Sequence, residues 1–259
     1  RDGVEVLGDA YPYTAYSTGL TVTFPNWALD GGREAVLKRL RGPERERIRR
    51  EVDDYVRNGD PGDYDLIVIA SVTSAANRRF VGKYLAQVAA DWKLDPAEAL
   101  LRIVDEEQGD VSYVGHGMSP DNVERVLAHP LVMVGSDGVV MAPVGRALEA
   151  RPHPRSYGCY PRVLGHYVRE RKALSLESAV RKSTSMPADQ AGLGDRGRVA
   201  RGKKADLVVF DAQRVKDGST FEEPQKYPEG ILHVLVNGVF VVEAGAQTTA
   251  RPGRVLRRA

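Results

Sequence analysis

Between Tyr64 and about Pro187, apolar runs of strand length alternate with apolar residues at helical spacing, and this alternation constrains the fold more than any other feature. Asp65-Leu-Ile-Val-Ile-Ala70 is a continuous run as long as a strand. Val81, Leu85, Val88 and Trp92 then recur at the period of a helix. Asp95-Pro96 is a helix start, because Asp supplies a capping oxygen and proline's fixed φ suits the first helical position. Ala97, Leu100, Leu101 and Val104 share one face of that helix. Val111 to Gly115 reads as a strand, and Ser119-Pro120 opens a helix with Val123, Val126 and Leu127 inside. His129-Pro130 ends it, since the residue before proline avoids the helical region. Leu131-Val-Met-Val134 has no polar alternation, which predicts a strand covered on both faces. Strand, helix and strand again predicts a parallel α/β sheet or barrel.

Two different zones flank this one. The first, to about residue 63, opens with the strand-like Val4–Leu7 and continues into a charged, helical stretch from Gly32 to Tyr55. There Arg45, Arg47, Arg49 and Arg50 interleave with Glu44, Glu46 and Glu51, the pattern of a solvated helix laced with ion pairs. The last zone starts near Gly202 and holds three β-rich runs, Asp206–Asp211, Ile231–Val236 and Val239–Glu243. Asn237-Gly238 joins the last two, a strong hairpin signal because a type I′ turn needs positive φ at both central residues. A small β module is expected after the α/β part. The closing Arg251, Arg254, Arg257 and Arg258 read as a solvated tail. The chain opens almost directly on a strand and without methionine, so it is expected to be a fragment of a longer polypeptide, with no signal peptide at its start.

Composition narrows the partners. Lys plus Arg total 37 and Asp plus Glu 35, a net charge of +2, which gives no global attraction to nucleic acid or anionic membrane. A hydrophobic content of 42% excludes a disordered polymer. The single cysteine, Cys159, excludes an internal disulfide framework and a multi-cysteine zinc knuckle, and fits a reducing, cytoplasmic setting. No apolar run approaches the length of a bilayer span. A small-molecule substrate remains the expected partner.

Few residues carry chemistry on their own. Gly135-Ser136-Asp137-Gly138 follows directly on a predicted strand, and an acid there lies on the catalytic face of a β/α barrel. Asp137 is a candidate general base or metal ligand, although the motif alone favours a turn or helix-cap residue. The five histidines, His116, His129, His153, His166 and His233, include no HxH or HExxH pair, so the chain alone assembles no tetrahedral zinc site. His116 is the best placed for the mouth of a site, whereas His129 and His233 look structural. Arg155, in a Pro- and Gly-rich segment from Ala142 to Gly158, has the planar fork that suits a substrate carboxylate; taken alone it reads as a surface arginine. Cys159 lacks a partnering base and reads as a buried or half-buried thiol. Tyr11-Pro12-Tyr13…Ser17-Thr18 offers phenols and hydroxyls at a pocket, or rings for the core.

Together these segments resemble one family. Asp9-Ala-Tyr-Pro-Tyr-Thr-Ala-Tyr-Ser-Thr18, His129 to Gly138, His153-Pro-Arg-Ser-Tyr-Gly-Cys-Tyr-Pro-Arg-Val-Leu-Gly165, Thr220-Phe-Glu-Glu-Pro224 and Tyr227-Pro-Glu-Gly230 are similar, in order, to segments of the N-acyl-D-amino-acid deacylases of the amidohydrolase superfamily. The resemblance implies an α/β fold: the C-terminal part of a metal-dependent (β/α)8 barrel over residues 1–200, with a helical insertion at about 20–110, and a small β domain over 201–259. It implies zinc-dependent hydrolysis of an N-acyl-D-amino acid to a carboxylate and a D-amino acid. Asp137 matches the catalytic aspartate, Arg155 the arginine that grips the substrate carboxylate, and Tyr11, Ser17 and Met118 positions lining the substrate site. The family's HxH motif and its other metal-binding residues are not matched, so Asp137 is at most a weak metal ligand here. The remaining ligands are expected in a missing N-terminal half of the same polypeptide, without which the chain is expected to be inactive. A cyclic-amide hydrolase, a deaminase or a non-catalytic truncated module are the alternatives.

Overall fold

The computed structural model describes residues 3, 4 and 6–257. Strand β1 spans Gly8–Ala10 and β2 Tyr16–Gly19; three helices follow, α1 (Asn26–Leu29), α2 (Gly32–Leu40) and α3 (Arg45–Asn58). Then come β3 (Ile67–Ser71), α4 (Leu85–Trp92), α5 (Pro96–Glu106), β4 (Ser112–Gly115), α6 (Pro120–Ala128) and β5 (Val132–Val134). Helix α7 (Arg155–Arg162) contains Pro161 and continues as a π-helical segment, Val163–Glu170. Two helices, α8 (Leu176–Ser183) and α9 (Ser185–Gln190), precede β6 (Leu207–Phe210), β7 (Ile231–Val236), β8 (Val239–Glu243) and β9 (Ala246–Gln247). The strand expected at Val4–Leu7 starts later, at Gly8, and Glu5 lies outside the described residues.

The parallel pairing expected from the central alternation holds for β1 and β5, where Gly8 faces Val132 and Ala10 faces Val134. It fails for the two longest runs of that zone. β3 and β4 pair antiparallel, with Val68 opposite Val114, in a sheet of order β2-β4-β3. The reason is parity: one helix between two strands returns the chain for a parallel pair, whereas α4 and α5 together reverse it twice. The last four strands form an antiparallel sheet of order β6-β7-β8-β9. Its Asn237-Gly238 turn has positive φ at both residues, 50° and 82°, as the hairpin signal requires.

Two apolar clusters hold most of the buried side chains. One lies wholly between Leu20 and Tyr113 and packs α2, α3, α4 and α5 onto β3 and β4. The charged stretch supplies part of it: Ile48, Val52 and Val56 lie on one face of α3 and are fully buried. The opposite face carries the expected ion pairs, Arg47–Glu51 at 2.8 Å and Arg49–Glu46 at 2.9 Å. The stretch is two helices, because Gly42-Pro43 interrupts it between α2 and α3. The second cluster joins Tyr13, Val123, Leu127, Val134, Cys159 and Val163 under β1 and β5. In the terminal sheet no strand residue is fully buried.

Because β1 and β5 run parallel, the segments leaving them emerge on the same side. Tyr11 and Asp137 are thereby brought to one end of the molecule. The segment leaving β4, His116-Gly117-Met118, reaches that end as well: the Met118 N–H donates to the Thr14 carbonyl at 3.1 Å.

Candidate functional site

Asp137 sits three residues past β5 with φ of 45°, a left-handed conformation that Asp tolerates better than most side chains. Its exposed carboxylate meets the buried guanidinium of Arg155, Nη1 to Oδ2 at 2.8 Å. Arg155 is 8% exposed, so the surface reading that its sequence context favoured is overturned. Burial follows from its place: it is the first residue of α7, not part of a loop, and its side chain crosses to the opposite segment. Nη2 donates to the Ser17 carbonyl at 3.0 Å, and the guanidinium stacks 4.9 Å from the centre of the Tyr11 ring. Ser17 therefore reaches this cluster through its backbone carbonyl.

The tyrosine pair divides the two uses open to it. Tyr13 is 2% exposed and belongs to the core, whereas Tyr11 is half-buried and faces the charged pair. Burial first, then the opposed charges of Arg155 and Asp137, leave the Tyr11 phenol harder to ionise than usual.

His153 was unremarkable among five histidines, yet it organises this end of the molecule. Its Nδ1 accepts the Arg155 N–H at 3.0 Å, which fixes the proton on Nε2, and Nε2 donates to the Ala15 carbonyl at 2.8 Å. Burial pushes its pKa down to about 3, so the ring is neutral and acts as a link between α7 and the β1–β2 segment. Its ring packs edge-on against Tyr13 and Phe221, with centroids 5.1 and 5.2 Å away. The only signal for it was the His-Pro-Arg order. Phe221 comes from the Thr220–Pro224 motif, which named no role for it, and also packs against His116, at 4.8 Å. His116 is half-buried, as a residue at the mouth would be, and burial lowers its pKa.

Met118 stands apart from the charged pair, in a cavity of about 390 Å³ that it shares with Asp9, Tyr11, Asn122 and Val123. On the other side of Arg155 a second cavity, of about 310 Å³, is walled by Val139, Met141, Tyr157 and Tyr160. Tyr11 borders the first and Arg155 the second.

Cys159 is 3% exposed, and burial pushes its thiol up to about 12, so it is an inert core thiol as expected. His129 ends α6, and its ring accepts the Leu131 N–H at 3.3 Å; His233 accepts the Ala244 N–H at 3.2 Å in the terminal sheet. Both are structural. Among the described residues no group of three His, Cys, Asp or Glu side chains is placed to hold a metal ion, and Asp137 has a cation for a neighbour. No helix among them is long and apolar enough to cross a membrane.

Comparison with known proteins gives the family. The profile of the amidohydrolase family matches residues 46–242. The chain is 44% identical over 177 residues to an N-acyl-D-glutamate deacylase of Alcaligenes xylosoxydans xylosoxydans, covering 68% of this chain and 34% of that protein. It is 35% identical over 254 residues to a D-aminoacylase of the same organism, covering 98% and 42%. The crystal structure of an N-acyl-D-glutamate deacylase from Bordetella bronchiseptica, with zinc and a phosphonate mimic of the tetrahedral intermediate, superposes with a TM-score of 0.71. That match has 34% identity and covers 99% of this chain and 43% of the other. The chain thus spans between a third and about two fifths of the length of these relatives.

Proposed function

The chain belongs to the amidohydrolase family, and from that premise we propose that it carries the substrate-gripping and proton-transferring part of an N-acyl-D-amino-acid deacylase. The observation behind this reading is the Asp137–Arg155 pair, 2.8 Å apart, at the end of the molecule where β1 and β5 both point. We assign the two parallel strands to an incomplete β/α barrel, the cluster at about 20–110 to a helical insertion and residues 201–259 to a small β domain. A relative crystallised with zinc supports a zinc enzyme. The described residues do not by themselves fit a metal ion, so the chemistry here is derived without one.

In this reading the α-carboxylate of an N-acyl-D-amino acid docks on the Arg155 fork. Arg155 now spends one prong on Asp137 and the other on the Ser17 carbonyl. A substrate carboxylate competing for the first prong releases Asp137. The freed carboxylate takes a proton from the attacking water and returns it to the leaving nitrogen, as base and then acid. Tyr11 supports the guanidinium face, and Met118 lines the cavity for the D-side chain. His153 contributes no proton of its own; it fixes the turn that aims Arg155. We place the enzyme in the cytoplasm, on the strength of its single, unpaired Cys159.

The test is hydrolysis of N-acetyl-D- and N-acetyl-L-amino acids by the purified polypeptide that carries this chain. D-specific hydrolysis is expected, with kcat reduced about 10²–10⁴-fold in Asp137→Asn and KM raised in Arg155→Lys, which keeps the charge and loses the fork. Hydrolysis of cyclic imides in place of acyl amino acids supports a cyclic-amide hydrolase. No hydrolysis of either class supports the non-catalytic module.

A further inference from the structure

The cavity shared by Tyr11 and Met118 has an acidic edge. Among the described residues Asp9 is the one charged side chain that lines it; Asn122 and Ser119 add polar atoms, Ala10, Val123 and Val126 an apolar wall, and no described lysine or arginine borders it. The cation at this end of the molecule, Arg155, is paired with Asp137.

A second carboxylate approaches from the helical region. Past the end of α3, at Gly59, the chain turns so sharply that a Cβ there would lie 2.5 Å from the Tyr55 carbonyl oxygen. The turn delivers Asp60 against Gly117, where an added Cβ would come within 2.6 Å of Asp60 Oδ1. Glycine at 117 is thus what lets the carboxylate sit against this wall of the cavity. Asp60 is exposed, and its charge is felt by the phenols on both sides. Burial comes first in raising the pKa of Tyr11 and of Tyr16, and Asp60 adds to the rise in each. Asp9 thus lines this largely apolar cavity and Asp60 lies against its Gly117 wall, both carboxylates exposed at the mouth, while among the described residues the one cation beside it, Arg155 over the Tyr11 ring, is already paired with Asp137.

We infer that this cavity selects D-residues with a neutral or positively charged side chain and rejects acidic ones, through Asp9 and Asp60. The inference rests on the deacylase reading and sharpens its substrate class. It runs against the name of the relative at 44% identity, an N-acyl-D-glutamate deacylase. The physical ground is that a second carboxylate entering this cavity meets like charge at its mouth, and a repulsive element of this kind sets specificity as a new contact does. An apolar stem with a neutral or cationic end meets none.

The experiment measures kcat/KM of the polypeptide carrying this chain on N-acetyl-D-glutamate, N-acetyl-D-methionine and N-acetyl-D-lysine, with Asp60→Asn and Asp9→Asn variants alongside. Glutamate is expected at least about tenfold below the other two, and each variant is expected to narrow that gap by about threefold or more. Thermal unfolding of both variants identifies one that fails to fold; the other then carries the comparison. Hydrolysis led by N-acetyl-D-glutamate overturns the inference and leaves the deacylase reading standing. So does a ratio unchanged in both variants. No hydrolysis of any of the three substrates overturns the deacylase reading, and this inference with it.

Discussion

Two buried ionisable residues are held in one protonation state by their surroundings, and both make the fold sensitive to acid. Glu107 is 1% exposed; burial opposes its charge, but hydrogen bonds from Ser74, Thr73 and Asn77 outweigh that and bring its pKa to about 2. It accepts from the Thr73 N–H at 2.6 Å and the Ser74 N–H at 2.9 Å. His153, neutral with a pKa of about 3, would be near 6.5 in the unfolded chain. Each group binds fewer protons folded than unfolded, so each contributes stability above its unfolded pKa and loses it as pH falls toward its folded one. For His153 the loss runs from 6.5 down to about 3, and for Glu107 from 4.5 down to about 2. His153→Gln keeps one of the two hydrogen bonds at best. It is expected to cost about 1–3 kcal/mol at neutral pH and to remove the upper part of that acid limb. Urea denaturation of this chain at a series of pH values reads both effects.

At the scale of elements, the sequence marked helix starts better than strand partners. Asp95 caps α5 as its Asp-Pro order indicated, accepting from the Ala97 N–H at 3.0 Å and the Glu98 N–H at 3.3 Å. Ser119-Pro120 marks the start of α6 equally well, but the Ser119 side chain makes no capping bond. Asp95→Ala is therefore expected to lower stability by about 1 kcal/mol and Ser119→Ala by no more than a few tenths, a contrast that thermal melts of the two variants measure. Strand direction was less legible. The apolar runs that became β3 and β4 give no local sign of direction, since their composition is the same in either orientation. Two helices lie between them, and the direction is set by how that pair packs back onto the sheet.

Across the whole molecule, burial is uneven. The cluster between residues 20 and 113 holds fully buried side chains from five helices and two strands, while the sheet of β6 to β9 leaves Val208 54% and Val209 45% exposed. Local opening free energies follow burial, so native-state hydrogen exchange is expected to be slowest in α5, β3 and β4 and fastest in β6, β8 and β9. Equal protection in the two regions would show a molecule that opens only as one unit. The same unevenness explains why the candidate site was half legible. Asp137, Arg155, Tyr11, Ser17 and Met118 stand in motifs that can be read in order along the chain, and four of them converge. His153, Phe221 and Asp9 lie in the same ordered motifs without a role of their own being legible there, and Asp60 lies outside them.

The sequence by itself determined α4, α5 and α6, the hairpin at Asn237-Gly238, the absence of a disulfide framework and the family, because each is written in residues close together or in ordered motifs. Only the tertiary structure decided that β3 and β4 run antiparallel, that Arg155 is buried on Asp137, that His153 is a neutral link and that two carboxylates flank the Met118 cavity. The reason is physical. Backbone propensity and capping act over a few residues, whereas burial, charge pairing and pKa depend on atoms brought together from segments as far apart as Ala15 and His153, 138 residues along the chain.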